Sequence, residues 1–154
     1  MLKKITVVLT ASALISSISL AGAAEQRATK KEAEAMVKKA VAAYKTGGEK
    51  SLPDFTAPSK KFVSKDLYIV VYDLTGKCIA HGQNAKQVGK DLIGMKDPDG
   101  KAFVKERVEL AKAKGSFWQD YKFTDPLTKK VLAKQMYCEK ADDKNIICGG
   151  IYKD

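Results

Sequence analysis

The chain holds a single histidine, which excludes any metal centre built from several imidazoles. Its three cysteines fall short of a four-thiolate zinc or iron–sulfur site. With 4 Pro and 11 Gly in 154 residues, collagenous and low-complexity architectures are excluded as well. No glycine-rich phosphate loop, Gly-x-Ser-x-Gly elbow or His-Glu-x-x-His helix occurs. Cys78 and His81 are three apart on one predicted strand, so they point to opposite faces and make no nucleophile–base pair. These absences describe a chain without metal, cofactor or catalytic machinery.

What is present is an excess of one charge. Lys and Arg number 28 against 18 Asp and Glu, a formal net charge of +10. Hydrophobic residues at 45% and charged residues at 30% are an ordinary balance for one packed domain. The first two dozen residues stand apart. Lys3 and Lys4 form a positive n-region, Ile5 to Leu20 an apolar and hydroxyl stretch, and Ala21-Gly22-Ala23-Ala24 a small-residue cleavage site. Cleavage after Ala23 and after Ala24 both fit. Residues 1–24 therefore read as a signal peptide and residues 25–154 as one periplasmic or secreted domain. Losing Lys3 and Lys4 lowers the formal charge from +10 to +8. No later segment is apolar and long enough to cross a bilayer, so the mature chain carries no membrane span. Export removes nucleic acid as an ordinary partner, and no aromatic-basic RNA-binding motif occurs. Lys30, Lys31, Lys38, Lys39, Lys105, Lys112 and Lys114 read as solvated helix faces.

Thr29-Lys30-Lys31-Glu32 has capping-box spacing, and Ala33, Met36, Val37, Ala40, Val41 and Tyr44 then repeat on one helical face. Gly47-Gly48 ends that helix. Leu67 to Tyr72 is apolar on both alternating faces, which predicts a strand over 66–73 that is covered on both sides. A turn at 73–76 leads into a second strand over 77–82, followed by a polar loop and a helix over 101–114 that stops at Gly115. Three further strands are predicted at 116–123, 130–139 and 146–152. The fold class is α+β: a five-stranded antiparallel sheet, a long N-terminal helix packed on it, and a loop-helix insertion between strands 2 and 3. Asp97-Pro98-Asp99-Gly100 lacks the remaining ligands of a calcium loop, and Asp97 or Asp99 reads instead as the N-cap of the following helix.

The cysteines add a constraint. Cys138 and Cys148 are symmetric about Asp143 in the last predicted hairpin, so a symmetric register places them opposite one another. An oxidising exported location favours a disulfide there. Cys78 is left either buried as a small apolar residue or free to pair with another chain.

The element order, with the residues placed on it, resembles the single Cache family of extracytoplasmic sensors. The matching segments include Tyr68-Ile69-Val70-Val71-Tyr72-Asp73-Leu74-Thr75-Gly76, Ala80-His81-Gly82-Gln83-Asn84 and Val88-Gly89-Lys90-Asp91-Leu92. They continue through Asp97-Pro98-Asp99-Gly100-Lys101, Gly115-Ser116-Phe117-Trp118-Gln119-Asp120-Tyr121, Pro126 with Lys134, and Gly149-Gly150-Ile151-Tyr152. The resemblance implies a PAS-like sheet that binds a small organic anion, often a short carboxylic acid, on behalf of a membrane receptor or kinase. Since the chain stops after the last strand, a free-standing ligand-binding module without its own output module is the expectation.

Alternation on the 130–139 strand groups Leu132, Lys134, Met136 and Cys138 on one face, where Lys134 would be a lone cation seeking an anion. The opposite face, Val131, Ala133, Gln135 and Tyr137, could equally be the core and would leave Lys134 in solvent; the resemblance favours the first arrangement. His81 offers one hydrogen bond to a carboxylate or hydroxyl, although a lone strand histidine is commonly a structural hydrogen-bonder. Trp118 and Tyr121 fall on opposite faces of their strand, one for the core and one for the pocket: Tyr121 brings a hydroxyl, and Trp118 a wall. Tyr68 and Tyr72 share a face and read chiefly as packing, with Tyr68 also a pocket candidate. The expected ligand-binding set is thus Lys134, Tyr121, His81, Trp118 and Tyr68. The alternative reading is an envelope protein–protein interaction module with the same fold and no small ligand.

Overall fold

The α1 helix spans Lys30–Gly47, and its start is closed reciprocally: the Thr29 hydroxyl accepts from the Glu32 backbone N–H while the Glu32 carboxylate accepts from the Thr29 N–H. In the computed structural model, which describes residues 27–153, its buried stripe is Ala33, Val37, Ala40, Val41 and Tyr44. The proposed leader and its cleavage site lie outside the described residues. Gly48, with φ of 58°, turns the chain out of α1 into a 3₁₀ segment over Gly48–Phe55.

The strands are β1 (Val63–Ser64), β2 (Leu67–Asp73), β3 (Cys78–His81), β4 (Ser116–Thr124), β5 (Val131–Lys140) and β6 (Asn145–Tyr152). A second helix, α2, spans Phe103–Lys114 between β3 and β4 and ends at Gly115 with φ of 75°. All pairings are antiparallel, in the order β1-β2-β6-β5-β4, with β3 also paired to β2. The five predicted strands are all present, together with the two-residue β1. Six of the seven residues of β2 are buried, as a strand covered on both faces requires.

Side-chain alternation sorts the strands into two layers. Ile69 and Val71 of β2, Ile147 of β6 and Tyr137 of β5 meet α1, together with Phe55, Phe62 and Ala80. Tyr68, Val70 and Tyr72 of β2, Met136 and Cys138 of β5, Ile146, Cys148 and Tyr152 of β6, and Phe117 and Tyr121 of β4 meet α2. Gly149 and Gly150 straddle the two layers. A Cβ on Gly149 would lie 3.0 Å from Val37 of α1, and one on Gly150 would lie 2.8 Å from the Lys134 Cε.

Asp66 is fully buried at the entrance to β2, where its two oxygens accept from the Ala28 and Tyr152 backbone N–H groups at 2.7 and 2.8 Å. The start of α1 is thereby tied to the end of β6. One expectation is corrected: neither Asp97 nor Asp99 caps α2, whose N-cap is Ala102 with no side-chain bond. Asp97 instead accepts from the Asp99 and Lys101 N–H groups to close its own turn, and from Lys122 N–H of β4.

Candidate functional site

Of the two faces of β5, the one bearing Lys134, Met136 and Cys138 is turned toward α2, while on the other Val131 and Ala133 are exposed and Tyr137 is buried against α1. Lys134 is 1% exposed. Its Nζ is hydrogen-bonded to the Tyr68 Oη at 2.9 Å and the Tyr152 Oη at 3.1 Å, with no carboxylate in contact among the described residues. Nζ also lies 4.1 and 4.5 Å from the ring centroids of those tyrosines. Burial, reinforced by the positive charge of Arg107, holds the Lys134 amine well below its ordinary range, against the pull of Asp66 and Asp125.

Tyr68 stacks on His81 of β3, centroid to centroid 5.3 Å. The His81 Nδ1 accepts from the Gln83 and Asn84 backbone N–H groups at 3.2 and 3.1 Å, which leaves the ring proton on Nε2. Burial, and next the charge of Lys134, pull the His81 pKa down to about 4, so the imidazole is neutral. The Tyr152 hydroxyl donates to the Thr124 carbonyl at 2.7 Å. Burial raises the hydroxyls of Tyr68, Tyr72, Tyr121 and Tyr152, keeping all four protonated.

Beside this group stands a second buried cation that the sequence reading did not single out. Arg107 of α2 is fully buried; its guanidinium lies 5.1 Å from the Tyr72 and Tyr121 ring centroids and 5.4 Å from that of Phe103. Its Nε donates to the Gln119 Oε1 at 3.0 Å, and neither terminal nitrogen has a hydrogen-bond partner among the described residues. The signal was in the helix periodicity: Phe103, Val104, Arg107, Val108 and Ala111 form the buried stripe of α2, so Arg107 occupies an apolar position.

The rings of Tyr68, Tyr72, His81, Phe103, Tyr121 and Phe123 enclose a cavity of about 10 Å³, room for a single water. Beyond Tyr68, His81, Gln87 and Phe123 it opens into a mouth of about 250 Å³, lined with Gln83, Asn84, Thr124, Asp125 and Lys129. The cations stand behind the aromatic walls: the phenol oxygens of Tyr68 and Tyr152 fill the acceptor positions around Lys134. A groove of about 420 Å³ elsewhere, between Glu49, Asp73 and Asp143, contains no buried cation.

Four of the five expected ligand-binding residues, Lys134, Tyr121, His81 and Tyr68, are brought to this one place. Tyr121 stacks on Phe103 at 4.5 Å, and its hydroxyl points to the Met136 Sδ at 3.7 Å. Trp118 is not part of the site. Its parity on β4 turns it toward α1, where Nε1 donates to Glu34 at 3.2 Å and Lys30 sits 4.9 Å above the ring. Tyr72 is at once core and pocket wall. Cys138 and Cys148 pair directly across β5 and β6, Cα to Cα 4.1 Å, and are joined by a disulfide beneath the pocket face. Cys78 is buried and free, its thiol pushed up to about 11 by that burial. No group of three or more His, Cys, Asp or Glu side chains suited to a metal ion occurs among the described residues.

Two buried basic side chains and a ring of protonated hydroxyls, with no carboxylate in contact with Lys134 or the Arg107 guanidinium among the described residues, form a site chemically suited to an anion. The sequence and the fold are similar to those of known proteins. Over 91 residues, 58% of this chain, the sequence is 33% identical to the sensor histidine kinase MctS of Rhizobium johnstonii, covering 20% of that protein. Over 90 residues it is 33% identical to the methyl-accepting chemotaxis protein McpP of Pseudomonas putida, covering 16% of it. The chain thus spans a fifth or less of these relatives. A solved Cache chemosensory domain, described for its carboxylic acid recognition, superposes with a TM-score of 0.69 at 25% identity, covering 80% of this chain and 92% of that one. Residues 5–154 match the family described as Single Cache domain 2, and the chain belongs to that family of sensor domains.

Proposed function

We propose that this protein is an exported sensor domain that binds a short carboxylic acid between the sheet and α2, with Lys134 as the anion anchor. The observation that carries the reading is a lysine 1% exposed whose only hydrogen-bond partners among the described residues are two phenol oxygens. A carboxylate entering from the mouth displaces one phenol from Nζ and meets the field of Arg107. The His81 Nε2–H and the Tyr121 hydroxyl are the neutral donors on its path, and Tyr68 is the ring that must move. The carboxylic acid recognition described for the similar Cache domain supports this ligand class. The kinase and chemotaxis relatives support a role in signalling, here through a membrane receptor or kinase that reads the occupied domain. The leader at residues 1–24, a periplasmic or secreted location and the absence of catalysis belong to the same proposal.

A second reading, a protein–protein interaction module, is favoured by one observation: the inner cavity is only about 10 Å³, already filled by side chains. A thermal-shift panel of acetate, propionate, lactate and pyruvate separates the two. Ligand at a hundred times its dissociation constant adds about 2.7 kcal/mol, several degrees in a domain of this size. A shift seen in the wild type and lost in Lys134→Met supports the carboxylate site. Flat curves across the panel would favour the interaction module and direct the search to a protein partner.

A further inference from the structure

A buried ammonium and a buried amine need different hydrogen-bond partners, and the surroundings of Lys134 can be counted. An ammonium has three N–H donors. Here Nζ has two partners within reach, the Tyr68 Oη at 2.9 Å and the Tyr152 Oη at 3.1 Å. The Tyr152 hydroxyl is committed as donor to the Thr124 carbonyl, so its oxygen accepts from Nζ. The Tyr68 hydroxyl lies 3.3 Å from the Tyr152 Oη and closer, at 2.9 Å, to Nζ. A neutral amine accepts the Tyr68 proton on its lone pair and donates to Tyr152, satisfying both phenols. Either form leaves one N–H without a partner among the described residues, but the ammonium also carries a full, unpaired charge into a dry, aromatic enclosure.

The charges around Nζ lean the same way. Arg107 on α2 adds repulsion, while Tyr68 on β2, Tyr152 on β6, Tyr121 on β4 and His81 on β3 are all neutral. Asp66, before β2, and Asp125, after β4, favour the ammonium. Asp66, however, spends its oxygens on the Ala28 and Tyr152 N–H groups. Asp125 is paired with Arg27 at 2.9 Å and bonded to the Thr128 hydroxyl at 2.6 Å. Burial and Arg107 together hold the Lys134 amine well below its ordinary range.

We propose that a carboxylate binds this site together with one proton, which goes from solvent to the Lys134 Nζ. The inference rests on the carboxylate reading above and adds its regulation. The entering carboxylate replaces a neutral phenol with a charged acceptor and supplies a compensating charge, so the ammonium becomes the stable form only when the site is occupied. In effect the domain takes up the undissociated acid, and its occupancy reports acid concentration and pH together. Affinity then falls as pH rises, approaching tenfold per pH unit where a full proton is taken up.

The test is titration calorimetry on the exported, processed protein with acetate, propionate, lactate and pyruvate. It is run in phosphate and in Tris, whose ionisation heats differ, between about pH 6 and pH 9. The expected result is an enthalpy that depends on the buffer, corresponding to uptake of between half a proton and one proton per acid bound at the alkaline end. Lys134→Arg, which cannot deprotonate, loses the uptake from whatever binding remains. His81→Gln keeps it, which excludes the imidazole as the acceptor. A bound acid with buffer-independent heat would overturn proton coupling and leave the carboxylate site standing. No heat from any of the four acids would remove both. Carbon-13 NMR of the lysine Cε in the ligand-free protein gives a separate check: a Lys134 signal fully charged through pH 9 would overturn the proposal.

Discussion

The two faces of the sheet are made by the same strands and obey different rules. On β2, Ile69 and Val71 look toward α1, while Tyr68, Val70 and Tyr72 look toward α2. On β6, Ile147 serves α1, whereas Ile146, Cys148 and Tyr152 serve α2. The α1 layer is mostly aliphatic, and its polar groups sit at its edges, as where the Asn145 amide donates to the Tyr44 hydroxyl at 2.9 Å. The α2 layer holds two fully buried basic side chains, Arg107 and Lys134, among aromatic rings, and the phenol oxygens there bond to the Lys134 amine. Burying an aliphatic side chain stabilises the fold, whereas burying a cation without an anion costs free energy. Both faces bury a core, but only the α2 face also buries Arg107 and the Lys134 amine with no carboxylate in contact among the described residues.

The largest expected effect tests the α1 face. Ile147 is fully buried in the α1 layer, and Ile147→Ala should cost about 3 kcal/mol, roughly 10 °C in Tm by circular dichroism. The ligand-induced shift should survive in that variant. A loss below about 1 kcal/mol would remove the contrast between the faces. Next comes the disulfide, which lies on the α2 side: Cys138→Ala with Cys148→Ala should cost about 2–3 kcal/mol for a loop this short, read from denaturant midpoints. Since Cys138 shares its strand face with Lys134, this variant should also weaken acid binding, which the Ile147 variant does not.

Lys134→Met reverses the sign. Exchanging a buried amine that has no carboxylate partner among the described residues for an apolar chain of similar length should leave the ligand-free protein as stable or more stable, by about 1–3 kcal/mol, while ending the response to acids. Destabilisation by more than about 1 kcal/mol would show that the lysine is a structural member of the layer. The pH dependence sharpens the same point. His81 has a pKa of about 4 folded against 6.5 unfolded, so the unfolded chain binds the extra proton and stability falls as pH drops through that window. Lys134, depressed from 10.5, adds a further rise of stability toward alkaline pH. Lys134→Met should flatten the alkaline rise and His81→Gln the acidic fall.

How much of this could be read beforehand differs between the faces in the same way. α1, with its capping box and one-sided stripe, was legible because periodicity and capping act locally. β2 was legible as a doubly covered strand because no polar residue interrupts Leu67 to Tyr72. β5 was not: both of its faces alternate acceptably, and only packing against α2 turns Lys134 inward. Trp118 shows the converse, since parity separated it from Tyr121 without saying which face held the pocket. Arg107 was hidden by its neighbours, for in a chain of 28 basic residues a cation on a lysine-bearing helix reads as solvated unless its place on the apolar stripe is weighed. Asp97 failed as an N-cap because its bond to Lys122 N–H of β4 is tertiary, beyond the reach of local spacing.

The smallest effect lies at the exposed end of α1. Thr29→Ala removes the hydroxyl half of the capping box, and the expected loss is about 1 kcal/mol. Glu32, bonded to Lys65 and to Thr29, has its pKa drawn down to about 2 from 4.5. Its contribution is therefore present above pH 4.5 and lost as pH falls through about 2, so the Thr29→Ala deficit should shrink in strong acid. Because α1 touches only the aliphatic layer, the deficit should also be the same with and without a bound acid. Equal melting shifts in the two states would keep the faces energetically separate. A deficit that doubles or vanishes when acid is bound would mean that occupancy is felt across the sheet at the start of α1. That end of the domain is tied through Ala28 and Asp66 to the backbone of Tyr152, whose hydroxyl accepts from Lys134.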